Sequence, residues 1–241
     1  MVAQSGQILQ GGLVYLSRGF VRRNDLVAGV NDHPRRILIS EEDILGMSTD
    51  LLDGLYPRAV GHLEPWAAVM GRARPHIFLS IRNYADILPS AYSQALRDGA
   101  IPHAMTEYRA HWLGRKPNWI ELINAVKAAF GEPAITVWSL DFYLHSPAAV
   151  RKAVIGLELP GELETVPEGT MRLSAMAVHR IERLGPLRGH AARLQAIREI
   201  LTTDQGSAPF DPLPLEEKRF HTERYHRDID AIRRMPVEFL G

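Results

Sequence analysis

Two side chains eight residues apart, Arg82 and Ser90, have the types and the spacing needed to hold a phosphate group. A guanidinium binds phosphate through its charge and its fork of parallel hydrogen bonds, and a hydroxyl adds one directed hydrogen bond. Asp86 stands four residues before Ser90, so the two share a face if the segment is a helix. Each residue also has a plain structural interpretation, Arg82 as the partner of a carboxylate and Ser90 as a small residue in close helix packing.

The elements around Arg82 place it at a turn from a strand into a helix. Residues 77–81 form an almost unbroken apolar run, which is typical of a strand buried on both faces. A helical pattern follows to about Asp98, and Gly99 ends it. We therefore expect Arg82 at the carboxyl end of a strand and at a helix N-terminus, where open α/β sheets bind ligands and anions are favoured.

A second turn from strand to helix carries candidate acid–base chemistry. Residues 37–39 read as a buried strand, and Ser40, two glutamates and Asp43 follow. Ser40 with Asp43 fits a capping box, in which the glutamates favour the helix N-terminus. The alternative is that Glu41 or Glu42 lies at the same sheet edge as the phosphate-holding arginine and acts as a general base.

Composition excludes several kinds of chemistry. The chain has 241 residues with 46% apolar side chains, and its 28 basic and 28 acidic residues cancel. No net charge draws it to nucleic acid or to an anionic membrane, so we expect neither as a partner. The absence of cysteine excludes disulfides and cysteine–zinc sites, and no histidine spacing is typical of a metal site. With no apolar run of membrane-spanning length and no signal peptide, we expect a cytoplasmic protein.

The remaining pattern predicts the α/β class, with a parallel sheet flanked by helices. Strands are expected at residues 13–16 and 134–140, and a helix at 119–130 that ends at a glycine. Residues 43–73 are expected to be helical with two interruptions at prolines, Pro57 and Pro65. We assign residues 1–146 to an α/β core and residues 147–241 to a helical C-terminal extension of the same domain. No strand is expected in that extension, and four helices are predicted at residues 148–156, 172–184, 188–203 and 214–235.

The pattern Arg-Asn-x-x-x-x-x-x-Ser-x-Tyr over residues 82–92 resembles the 3'-phosphate-binding motif of sulfotransferases, whose sulfate donor is PAPS (3'-phosphoadenosine 5'-phosphosulfate). Other segments, in the same order, are similar to the bacterial sulfotransferase-like branch of P-loop folds. They include the Ser-Glu pair after the strand at 37–39, the Ile-Thr-Val-Trp strand, the Met-Arg-Leu-Ser helix start at 171–174, and a last helix with Tyr225 and Asp228.

This resemblance implies a P-loop-type sheet, with Arg82 and Ser90 on the 3'-phosphate of PAPS or of the product 3'-phosphoadenosine 5'-phosphate. It implies sulfuryl transfer to the hydroxyl of a small-molecule or carbohydrate acceptor, with Glu41 as the candidate base, and no metal. The chain departs from the family at the P-loop, since no Gly-x-x-x-x-Gly-Lys segment occurs.

Because the segment around Gly12 resembles what normally follows the P-loop helix, we expect the sequence to begin roughly thirty to forty residues late relative to the family. Either the start is misplaced, or the chain is a natural remnant that covers an exposed strand edge, for example as a homo-oligomer. A non-catalytic nucleotide-binding or protein-interaction module on the same fold therefore competes with the enzyme.

Overall fold

In the computed structural model the protein is α/β and mostly helical. The structure describes residues 7–9, 13–17, 36–40, 43–71, 73–100, 104–115, 118–156, 172–184, 189–204 and 208–241. Within these ranges the strands form two three-stranded sheets. In the first sheet, β1 (Gln7–Leu9) is antiparallel to β2 (Leu13–Ser17), which is parallel to β3 (Arg36–Ser40).

The second sheet is entirely parallel and is flanked by helices. Its order is β4 (His76–Ile81), β5 (Ala134–Ser139) and β6 (Glu238–Leu240), with Ile81 paired to Ser139 at the carboxyl edge. The described helices are α1 (Ala59–Met70), α2 (Tyr84–Arg97), α3 (Met105–Arg115), α4 (Trp119–Phe130), α5 (Leu140–His145), α6 (Pro147–Ile155), α7 (Ala175–Glu182), α8 (His190–Thr202) and α9 (Leu215–Ile232). The coarse prediction of a parallel sheet flanked by helices is thereby confirmed.

Local signals at helix ends account for the two helices nearest the parallel sheet. The Asn83 side chain caps α2 by accepting from the backbone N–H of Ala85 at 2.9 Å. The Asn118 side chain caps α4 in the same way, and Gly131 ends it with a left-handed φ of 69°. These caps satisfy backbone groups that a helix terminus would otherwise leave without partners.

Two predictions about the course of the chain are wrong. Helix α1 runs through Pro65 without a break, because its packing against α4 outweighs the local loss of one backbone hydrogen bond. The C-terminal part is not purely helical, because β6 joins the sheet beside β5. A strand of three residues has too short a pattern to be recognised from its sequence.

The core lies between the parallel sheet and helices α2, α4 and α9. Tyr84 and Tyr92 of α2 are fully buried, as are Ile81 at the end of β4 and Ile232 of α9. Because α2 begins directly after β4, this packing fixes the turn that carries Arg82. Within the described part of the chain, no helix is both long and apolar enough to cross a membrane.

Candidate functional site

Arg82 lies where the sequence predicts it, directly after β4 and before the capping residue of α2. The preceding residue, Ile81, pairs with Ser139 at the end of β5. Since the strands are parallel, Arg82 and Ser139 lie at the same carboxyl edge of the sheet. Such edges are where α/β folds gather ligand-binding side chains.

The structure brings Arg82 and Ser90 into contact. The Arg82 Nη1 donates a hydrogen bond to the Ser90 Oγ at 3.1 Å, and both side chains are half-buried. Side chains on a helix point toward its N-terminus, so Ser90 reaches back to the turn from two turns along α2. The two side chains are as close together as a shared phosphate site requires. Phosphate binding by the pair stays a prediction.

No carboxylate of the described residues forms an ion pair with Arg82. The neighbouring Asp86 is held instead by Arg172, which donates to its carboxylate and, at 3.4 Å, to its backbone carbonyl. Among the described residues, Arg82 is therefore not half of an ion pair.

Burial and charges of both signs surround Arg82. Burial lowers the pKa of the Arg82 guanidinium, the nearby Arg172 guanidinium lowers it as well, and the Asp86 and Asp141 carboxylates raise it. Because arginine stays charged in proteins, burial and the Arg172 charge leave a desolvated cation next to a second cation, which is unfavourable. A bound phosphate would offset both.

Tyr225 of α9 lies on the same side of the site. Its position in the sequence did not predict that it would approach the turn after β4. The side chain is buried, and its ring meets that of Tyr84 edge-on with 6.0 Å between centroids. Burial raises the pKa of the Tyr225 hydroxyl, the Asp141 carboxylate raises it further, and Ser139 acts against this as a donor. The phenol is therefore protonated and neutral at physiological pH.

The backbone carbonyl of Arg82 is held by a buried network of hydrogen-bonded side chains. The Trp119 indole N–H donates to the backbone carbonyl of Arg82 at 3.0 Å. The Trp119 backbone N–H donates to the Tyr84 hydroxyl at 2.8 Å and to Asp228 Oδ2 at 3.0 Å, and Tyr84 donates to Asp228. This group ties α2, α4 and α9 together, so the turn bearing the arginine is rigid.

Glu41 and Glu42 lie outside the described residues, so no contact of the candidate base is known. The capping interpretation of Ser40 is wrong, because the described residues after it, 43–49, form turns rather than a helix. The next helical turn is a 3-10 helix at Asp50–Asp53, whose N-cap Thr49 makes no side-chain cap.

Two other features of the described residues bear on the choice of site. They contain no group of three His, Asp or Glu side chains arranged to hold a metal ion. A shallow cleft between α1 and α4 is lined by Asp53, Tyr56, Val60 and Glu121, among others, and includes none of the residues around Arg82. The candidate site is thus the polar group at the carboxyl edge of β4 and β5.

Comparison of the chain with protein-family models, with curated proteins and with solved structures found no match. The functional interpretation consequently rests on the geometry around Arg82 and on the resemblance of the motifs to those of sulfotransferases.

Proposed function

We propose that this is a sulfotransferase-like protein that binds the 3'-phosphate of PAPS, or of 3'-phosphoadenosine 5'-phosphate, at Arg82 and Ser90. The observation that carries the proposal is the half-buried Arg82 guanidinium, which bonds to Ser90 and has no ion-pair partner among the described residues. A partly buried cation without an ion-pair partner is less favourable than one whose charge a bound anion compensates. The position at a helix N-terminus suits the same anion.

In the proposed reaction PAPS supplies the sulfuryl group, which moves to an acceptor hydroxyl on a small molecule or a carbohydrate. The acceptor oxygen bonds to sulfur as the bond from sulfur to the 5'-phosphate oxygen breaks. Glu41 takes the acceptor proton, which is the role of a general base. Arg82 and Ser90 touch only the 3'-phosphate, so they orient the donor without taking part in bond breaking.

The role of Glu41 has its own test in turnover assays with PAPS and a sugar acceptor. Glu41→Gln removes the base and keeps the size, so turnover should fall by about 100-fold. The affinity for the donor nucleotide should stay unchanged, because a base acts on the acceptor. If turnover is retained, Glu41 is not the base.

A second candidate is a non-catalytic nucleotide-binding protein on the same fold. It is favoured by one observation, that the sequence contains no Gly-x-x-x-x-Gly-Lys segment to hold the 5'-phosphosulfate. Such a protein would retain the 3'-phosphate contacts and lack turnover. Nucleotide binding without sulfuryl transfer would identify it.

The proposal is tested by calorimetric titration at low salt with 3'-phosphoadenosine 5'-phosphate and with adenosine 5'-phosphate. Without contacts from a P-loop, we expect dissociation constants on the order of 1 mM for the first nucleotide and weaker binding of the second. Arg82→Ala should abolish the difference, since a charge-assisted bond contributes about 1.5–3 kcal/mol. Ser90→Ala should reduce it by less.

Arg198 on the exposed face of α8 provides the matched control. Arg198→Ala removes the same charge away from the site, so the preference for the 3'-phosphate should persist. Equal binding of the two nucleotides to the unmutated chain would contradict the proposal and leave Arg82 a structural arginine.

A further inference from the structure

The hydroxyl of Tyr225 is a buried donor without an acceptor. The side chain is 2% exposed, and its oxygen has no hydrogen-bond partner of normal geometry among the described residues. Buried tyrosine hydroxyls usually find a partner, so an unpaired one indicates a place where something else binds.

The surroundings of this hydroxyl overlap with those of Arg82. Asp86 and Asp141 act electrostatically on both the Tyr225 hydroxyl and the Arg82 guanidinium. Ser139, which approaches the phenol, is the strand partner of the residue before Arg82. Tyr225 of α9 therefore lies at the same carboxyl edge of the sheet.

The neighbours of the phenol do not accept its proton. The Ser139 Oγ already accepts from the backbone N–H of Phe142 at 3.0 Å, as the cap of α5. The Ser139 side chain lowers the pKa of the Tyr225 hydroxyl, as a donor to the phenol oxygen does, and the pair does not form a hydrogen bond of normal geometry. The carboxylate of Asp86 is occupied by Arg172. The phenol proton is left available for an acceptor that enters the site.

We infer that the Tyr225 hydroxyl donates a third hydrogen bond to the phosphate group held by Arg82 and Ser90, and this inference rests on the proposed function. The three donors come from the β4–α2 turn, from α2 and from α9. A phosphate monoester has three terminal oxygens to accept from them. Tyr225 is thus a residue that favours a nucleotide with a 3'-phosphate over one with a free 3'-hydroxyl.

The test is Tyr225→Phe in the full chain, which removes the hydroxyl and keeps the ring. Affinity for 3'-phosphoadenosine 5'-phosphate should fall about 10- to 150-fold, as expected for one hydrogen bond to a charged group. Affinity for adenosine 5'-phosphate should not change. The melting temperature of the nucleotide-free chain should stay level or rise, because the substitution removes an unpaired buried polar atom.

Tyr92→Phe is the matched control, because the Tyr92 hydroxyl donates to Glu182 at 2.5 Å. That substitution should lower the melting temperature and leave the ratio of the two nucleotide affinities unchanged. A structural role for the Tyr225 hydroxyl would instead make the two variants behave alike.

The outcomes separate the two claims. If the unmutated chain binds both nucleotides equally, the proposed function fails and the inference fails with it. If the unmutated chain prefers the 3'-phosphate and Tyr225→Phe retains the full preference, the phosphate site stands and only the role of Tyr225 is overturned.

Discussion

At the scale of single residues, the site is defined by polar groups whose partners are incomplete. Arg82 bonds to a hydroxyl and forms no ion pair with a carboxylate of the described residues, and the Tyr225 hydroxyl lacks an acceptor there. Folded proteins satisfy most buried polar groups, so two such side chains at one sheet edge are better explained by a ligand than by folding. Stability is then slightly lower in the empty state and is restored by binding.

His221 is a further buried side chain, whose Nδ1 has no hydrogen-bond partner among the described residues, and its effect is on stability. Burial lowers the pKa of His221, and the Arg224 charge lowers it further, so the folded state favours the neutral ring. The unfolded chain binds a proton near pH 6.5, so the contribution of the neutral ring is present above that pH and is lost below it.

We therefore expect the melting temperature to fall between about pH 7.5 and pH 5.5, and His221→Leu to make that fall smaller. His179→Leu, at an exposed position of α7, serves as the control and should leave the fall unchanged. Thermal unfolding followed by circular dichroism measures both. An unchanged pH dependence in His221→Leu would show that other groups cause it.

At the scale of elements, the turn after β4 is positioned by the group formed by Tyr84, Trp119 and Asp228. Burial raises the pKa of the Tyr84 hydroxyl, and its hydrogen bond to Asp228 raises it further, so Tyr84 remains a donor. One carboxylate thereby joins α2, α4 and α9, and the indole of Trp119 holds the carbonyl of Arg82.

Asp228→Ala should lower the free energy of unfolding by about 1–3 kcal/mol, because the buried Tyr84 hydroxyl loses its acceptor. Asp230→Ala removes the same charge from the exposed face of α9 and should change the stability by no more than about 0.5 kcal/mol. Urea unfolding of the two variants provides the comparison. Equal stability of both would show that the group does not hold the helices together.

At the scale of the whole molecule, the parallel sheet is small, and neither of its outer strands has a further partner within the described residues. Strand β4 pairs with β5 on one side, and no described strand pairs with its other side. An unpaired strand edge is a template for association with another chain. We propose the edge of β4 as the place where this chain would associate with a second copy.

Sedimentation velocity should accordingly show reversible self-association over about a 100-fold range of concentration. Ser80 is exposed on β4, and a lysine on an edge strand opposes pairing. Ser80→Lys should shift the chain to monomer, whereas Ser80→Thr should not. A monomer at every concentration for the unmutated chain would show that this edge is covered in another way.

The local part of the site could be predicted from the sequence, and the distant part could not. An apolar run followed by a helical pattern fixes the place of Arg82, and helix geometry brings Ser90 back to it. Arg172, just before α7, and Tyr225 of α9 lie more than eighty residues away along the chain. Their approach depends on tertiary packing, which single-sequence periodicity does not describe.

In the fold, too, the elements with clear local patterns could be predicted and those that depend on distant packing could not. Strands β4 and β5 and helices α2 and α4 have clear periodicity and caps, so their positions were predictable. Strand β6 is too short to show a period, and its pairing with β5 spans about a hundred residues of chain. The continuity of α1 through Pro65 likewise follows from packing rather than from local preference.

The central claim, that Arg82 holds a 3'-phosphate, is tested most directly by NMR of the arginine side-chain N–H groups, with the Arg82 signal assigned by its loss in Arg82→Lys. Addition of 3'-phosphoadenosine 5'-phosphate should shift the Arg82 signal, because its guanidinium gains an anionic acceptor. Adenosine 5'-phosphate should leave that signal in place. An Arg82 signal that stays fixed while the bisphosphate binds elsewhere on the chain would contradict the account.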